Sequence, residues 1–223
     1  DRNLSRGLGD VYKRQFQLNP LSFNKESTQS INVMSYNVRL FDLYNWTENK
    51  EVKQKIINLI KEQNPDVICF QEYYYDKSNE FITRDLIINE LGYQYYHESF
   101  SDESKNNSYF GLATFSKFPI INKENIQFQN DNSNQCIWSD INIGYDTLRI
   151  FNTHLGSIRF NHSDYNIIGG KGSPIWPNEK VPKQDIFNRL KLGFSKRAEQ
   201  IAQISPITVS YTHLTLPTRD EVL

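Results

Sequence analysis

The sequence predicts an α+β fold with substantial antiparallel sheet, and three observations lead there. Periodic stretches follow one another as strand, helix, strand, helix, then several strands in succession, then a last helix. The later strands are short and separated by turn residues, which suits hairpins better than a doubly wound parallel sheet. The 223 residues, 38% of them apolar, suffice for one domain with a real core.

Each element has a local reason. Ile31 to Tyr36 alternates and reads as a strand. Thr47 is placed to cap a helix carrying Val52, Ile56, Leu59 and Ile60 near one face. That helix must end by Asn64, because Pro65 disfavours helical backbone in its predecessor. Val67 to Phe70 is a continuous apolar run, taken as a buried strand. Asn79 to Leu91 reads as a second helix with Gly92 at its C-terminal cap. Phe110 to Phe115 and Ile126 to Phe128 are strands. Cys136 to Ile143 and Leu148 to Thr153 form a hairpin around a turn at Gly144–Thr147. Gly156 to Pro182 is long and rich in Gly and Pro, as functional surface loops are. Lys183 to Ile204 closes with helical periodicity through Phe187, Leu190, Phe194, Ala198 and Ile201.

The ends do not read like the middle. Asp10 to Gln15 back-translates as GAT GTG TAT AAG AGA CAG. The reverse complement, read in a shifted frame, encodes Val-Ser-Tyr-Thr-His and a first base compatible with Leu, the word at Val209 to Leu214. The two words are opposite strands of one DNA element, which resembles a transposon-end adapter from sequencing libraries. Residues 1–15 and 209–223 are therefore expected to be adapter-derived, 16–30 a linker, and 31–208 the domain itself. The Asn, Ile, Lys and Tyr of the middle suit a low-GC bacterial gene recovered from mixed DNA.

Composition removes several classes of function. The 25 basic and 26 acidic residues nearly balance, which excludes a polybasic protein holding nucleic acid by bulk charge. There is no apolar run of about 18 residues, so the reading is of a soluble domain. Cys69 and Cys136 lack zinc-ligand spacing and lie in apolar runs, as small core residues do.

Three polar residues share one placement, each at the end of an apolar strand: Asn37, Glu72 and His154. Groups so placed can converge on one rim. The words around them are more specific. Met34 to Arg39, Asp66 to Glu72, Phe110 to Pro119, Phe151 to Leu155 and Arg197 to Gln200 occur in that order. Together they resemble the endonuclease/exonuclease/phosphatase superfamily, which includes pancreatic deoxyribonuclease, abasic-site endonucleases, neutral sphingomyelinases and inositol-polyphosphate 5-phosphatases. The resemblance is strongest to bacterial members of unassigned substrate and covers residues 31–204.

The resemblance implies a four-layer α/β/β/α sandwich and hydrolysis of a phosphodiester or phosphomonoester bond, assisted by Mg²⁺ or Mn²⁺. Glu72 matches the glutamate that holds the cation, a hard ion suited to carboxylate oxygen. Asn37 matches the asparagine that positions metal and phosphate. His154 matches a histidine that contacts phosphate or protonates the leaving oxygen. Arg39 and Asn152 are candidate phosphate contacts. Ser116, Lys117, Arg197 and Gln200 are expected to support the fold or shape the rim. The expected substrates are nucleic acid, a phospholipid head group or a small phosphate ester, with no obligate protein partner. Bacterial proteins of this kind often carry membrane spans ahead of the domain, so a tether in the parent protein is a further expectation. The family's Gly-Asp-Phe-Asn and Ser-Asp-His words are absent from this chain. The last third of the domain is thus expected to be missing and the polypeptide as written to be inactive. The rival reading is a non-catalytic binding module on the same fold.

Overall fold

A computed structural model describes residues 30–76, 83–103, 108–158 and 183–212. The chain divides into units 1–30 and 31–223, and the first lies outside the described residues except for Ser30. The expected adapter segment 1–15, most of the linker, the start of the second helix, residues 159–182 of the long loop and 213–223 also lie outside them.

The described part of the second unit is α+β, as the sequence predicts. Its elements are β1 (Val33–Asn37), a turn at Arg39–Asp42, α1 (Val52–Gln63), β2 (Val67–Asp76), α2 (Thr83–Asn89), β3 (Tyr95–Glu103) and β4 (Ser108–Ser116). These are followed by β5 (Ile120–Phe128), β6 (Asp131–Asn142), β7 (Thr147–His154) and α3 (Lys183–Thr212). One sheet has the order β1-β2-β4-β3, parallel only between β1 and β2. The other has the order β5-β6-β7 and is antiparallel.

Two helices cover the outer face of the first sheet. Ile56, Ile57 and Ile60 of α1 and Ile87 of α2 join Ile68, Phe70, Tyr73, Ala113 and Phe115 in one buried cluster. Helix α3 covers the second sheet, where Ile204 meets Phe128 and Cys136. The layers are therefore α/β/β/α. No helix among the described residues is long and apolar enough to cross a membrane.

The faces that the sheets turn to each other mix buried apolar residues, Val67, Leu112, Ile137 and Ile141, with polar ones that pair with one another. His97 Nδ1 lies 3.0 Å from Ser139 Oγ and its Nε2 lies 2.7 Å from Asn125 Oδ1. Ser99 donates to Gln135 Oε1, and Gln135 Nε2 donates back to the Ser99 carbonyl at 2.7 Å. Gln71 Nε2 donates to Asn152 Oδ1 at 2.7 Å, while Asn152 Nδ2 donates to the carbonyls of Phe70 and Ala113. Buried polar groups stabilise only when satisfied, and these partner one another across the interface.

Several elements depart from expectation. Thr47 does not cap α1; its hydroxyl and N–H both donate to the Asp42 carboxylate, and the helix begins after Glu51. Asn64 ends α1 with left-handed backbone, and its N–H donates to the Ile60 carbonyl. Strand β2 runs to Asp76 rather than stopping at Phe70. Strand β3 is an element beyond those that the sequence pattern predicts. Gly92 has φ +79, as its capping role requires. Helix α3 continues beyond Ile204 through Pro206 to Thr212. It also buries a different stripe: Ile186, Gln200 and Ile204 are buried, while Phe187 (61%) and Phe194 (59%) are exposed. Both cysteines are free and buried, and burial pushes the Cys69 thiol up to about 12.

Candidate metal and phosphate site

Asn37 closes β1 and His154 closes β7, each at a strand end as expected. Glu72 does not follow its strand but lies inside it. Register slips between Phe70 and Tyr73, so Gln71 and Glu72 together oppose Leu112 in a β-bulge. Glu72 takes φ +49, a left-handed conformation that costs a non-glycine residue about 1–2 kcal/mol. The extra residue turns its carboxylate out of the strand's alternation. Tyr73 then resumes the buried face and stacks on Phe70, with centroids 6.0 Å apart. A second bulge, between Phe100 and Asp102 of β3, flanks the same point of β4. Gly111 sits between the two bulges, and a Cβ there would lie 1.9 Å from the Ser99 carbonyl oxygen. Only glycine permits this close approach.

The three side chains converge on one atom. Asn37 Nδ2 donates to Glu72 Oε1 at 2.9 Å, and His154 Nε2 lies 3.5 Å from that oxygen. The interaction with His154, aided by Asn37 and Arg39, holds the Glu72 carboxyl below its ordinary range against the opposing effect of burial. Glu72 is thus an ionised carboxylate whose Oε2 takes no hydrogen bond from the described residues. Asn37 Oδ1 is itself fixed, accepting the Arg39 N–H at 3.0 Å. Beside them opens a cavity of about 100 Å³, lined by Leu40, Phe110, Gly111, Gln135, Glu72 and His154 among others.

The remaining expected residues are placed differently from one another. Asn152 is 1% exposed, and both ends of its amide are engaged in joining the sheets. It lies beneath the rim, not on it. Arg39 is exposed, with its guanidinium 4.7 Å from the centroid of Trp46. Lys117 Nζ donates to the Asn64 carbonyl and side chain, tying the end of α1 to β4. Arg197 Nε donates to the Gly156 carbonyl at 2.8 Å, and Gln200 Oε1 accepts the Gly156 N–H at 2.9 Å. These two residues clamp the chain just after His154. All three therefore support the frame.

The turn after Asn37 carries no signal in the sequence. Arg39, Leu40, Phe41 and Asp42 all have φ between +46 and +58, an unusual run of left-handed non-glycine residues. Phe41 holds it in place, 2% exposed and edge-on to Phe70 and Tyr73 at 5.9 and 6.0 Å. No glycine marks such a turn, so pattern reading has nothing to detect.

The donor set suits a hard divalent cation in part. No group of three His, Cys, Asp or Glu gathers among the described residues. A Mg²⁺-type ion nonetheless takes one or two carboxylates and completes its shell with water and substrate oxygens. An ionised Glu72 beside the Asn37 amide meets that minimum.

A family model described as the Endonuclease/Exonuclease/phosphatase family matches residues 34–199. Among solved structures, an endonuclease/exonuclease/phosphatase from Beutenbergia cavernae is 17% identical with a TM-score of 0.46, over 57% of this chain and 39% of that one. A family protein from Leptotrichia buccalis is 14% identical with a TM-score of 0.42, over 72% and 73%. Truncated TDP2 from Caenorhabditis elegans is 24% identical with a TM-score of 0.41, over 58% and 47%. The chain thus spans less than half the length of the first and third. No curated protein matches its sequence.

Proposed function

Because the chain belongs to the endonuclease/exonuclease/phosphatase family, we propose that its parent protein hydrolyses a phosphate ester, with a divalent cation, Mg²⁺ or Mn²⁺, held at Glu72. The observation that carries this reading is the convergence of Asn37 and His154 on one oxygen of an ionised Glu72. When bound, the cation supplies charge stabilisation to the phosphoryl oxygens. Glu72 would be its protein ligand. Asn37 fixes that carboxylate and presents its amide to the phosphate. His154 contacts a phosphate oxygen or gives a proton to the leaving oxygen from Nε2. Arg39 adds positive charge at the rim. Asn152, fully engaged below, positions Gln71 and the bulge instead of touching phosphate.

Hydrolysis also needs an oriented water and further charge stabilisation. The family words that supply these, Gly-Asp-Phe-Asn and Ser-Asp-His, are absent here. We therefore propose that the 223-residue chain binds metal but does not turn over. The test is to assay the completed gene product on a DNA oligomer, a phospholipid and a sugar phosphate, with and without chelator. Chelator-sensitive hydrolysis is expected, with a loss of about 10³-fold or more in Glu72→Ala. Full activity in that variant rejects the metal assignment. Metal-dependent binding without hydrolysis of any of the three favours the binding module.

A further inference from the structure

The left-handed turn carries an aromatic pair that the proposed chemistry does not use. Tyr44 and Trp46 are 60% and 45% exposed, and their ring centroids are 5.1 Å apart at 60°. Arg39 lays its guanidinium over Trp46, 4.7 Å from the centroid. The same Arg39 donates its backbone N–H to Asn37 Oδ1, and Asn37 donates to Glu72. The aromatic surface is thus joined to the candidate phosphate site through two hydrogen bonds.

Exposed aromatic residues are uncommon enough to need a reason when they form a cluster beside a site. Here the backbone is strained to present them, and Phe41 anchors the strain from below. We propose that Tyr44, Trp46 and Arg39 form a stacking platform for a nucleobase, so that the substrate of the phosphate site is a single-stranded nucleic acid or the frayed end of one. This rests on the phosphoesterase reading.

The chemistry of the patch selects among the substrate classes. Any base has a π-face that stacks on an indole, a phenol or a guanidinium plane, and the Arg39 charge complements the adjoining phosphate. A cationic choline head group would meet the guanidinium already lying over Trp46. A lipid surface needs a continuous apolar face, and here Asn45, Thr47, Glu48, Lys50 and Glu51, all exposed and polar or charged, interrupt it. A small sugar phosphate at Glu72 would leave the two rings without a role.

The test measures binding of the full chain in chelator, by fluorescence anisotropy, to a labelled dT hexamer and to an abasic hexamer of equal length. The dT hexamer is expected to bind about 5- to 150-fold more tightly, the equivalent of about 1–3 kcal/mol of stacking on one base. Trp46→Ala and Tyr44→Ala should shrink that ratio without lowering the unfolding midpoint. Equal affinity for the two oligomers, or a ratio unchanged in both variants, overturns the platform. So does Trp46-dependent binding to phosphatidylglycerol vesicles without preference for dT. Mg²⁺-induced tightening lost in Glu72→Ala tests the metal reading separately, so one proposal can fail while the other stands.

Discussion

Asn152 shows how a residue in a recognisable word can serve the site from beneath. Its amide bridges the Phe70 and Ala113 carbonyls of one sheet from a strand of the other, and its oxygen holds Gln71 at the bulge. Asn152→Ala removes the three buried hydrogen bonds that its amide makes to Phe70, Ala113 and Gln71, so a loss of about 2–3 kcal/mol is expected in urea unfolding. His97 is the other residue with a measurable signature. Burial pushes its imidazole below the ordinary 6.5. The unfolded chain therefore takes up a proton at a higher pH than the folded chain does. Stability at pH 7 should be undiminished by this group. It should then fall as pH drops below about 6.5 and level off once the folded histidine protonates. His97→Gln keeps an amide near Asn125 and should flatten that slope in unfolding midpoints measured from pH 7.5 to 5.

At the scale of elements, the alternation of apolar residues exposed some features and hid others. The hairpin around Gly144, the end of α1 at Asn64 and the cap at Gly92 carry their own local chemistry, so they could be read directly. Strand β3 could not, because its inner face is His97 and Ser99 and its outer face includes Glu98, which pairs with Arg84 of α2. A strand that buries polar groups on both faces has no hydrophobic period. Helix α3 misled for the converse reason. Its most apolar stripe is exposed, whereas it docks through Arg197 and Gln200, and Gly193 packs tightly against Ile158. The two stripes can be told apart by mutation. Ile204→Ala should cost about 2–4 kcal/mol, and Phe194→Ser should stay within about 0.5 kcal/mol of the parent in chemical denaturation. The reverse order would mean that α3 is rotated.

Over the whole molecule, the four-layer order was accessible only through the resemblance, since no local pattern states which sheet lies against which. What the sheets share is an interface in which hydrogen-bonded pairs stand among buried apolar residues. Such an interface resists sliding by one residue, because every donor would lose its acceptor at once. That rigidity is what lets strand ends from two sheets, Asn37 and His154, meet a third residue within hydrogen-bonding range. The strand-end positions of Asn37 and His154 were legible in the sequence, whereas Glu72 lies inside β2 and not at its end. The bulge that brings Glu72 to them was not legible, since a one-residue insertion leaves no mark in composition.

That insertion sets the chemistry apart from the fold. Glu72 stands outside the alternation and outside the apolar cluster of β2; its side chain is held by Asn37 and His154, while its left-handed backbone suits a residue without a side chain. In Glu72→Gly the relief of backbone strain opposes the loss of the contacts with Asn37 and His154, so stability is expected to stay within about 1 kcal/mol of the parent while metal affinity in calorimetric titration is lost. On the phosphoesterase reading, Glu72 is thus a residue that the chemistry needs and the fold could lose at small cost.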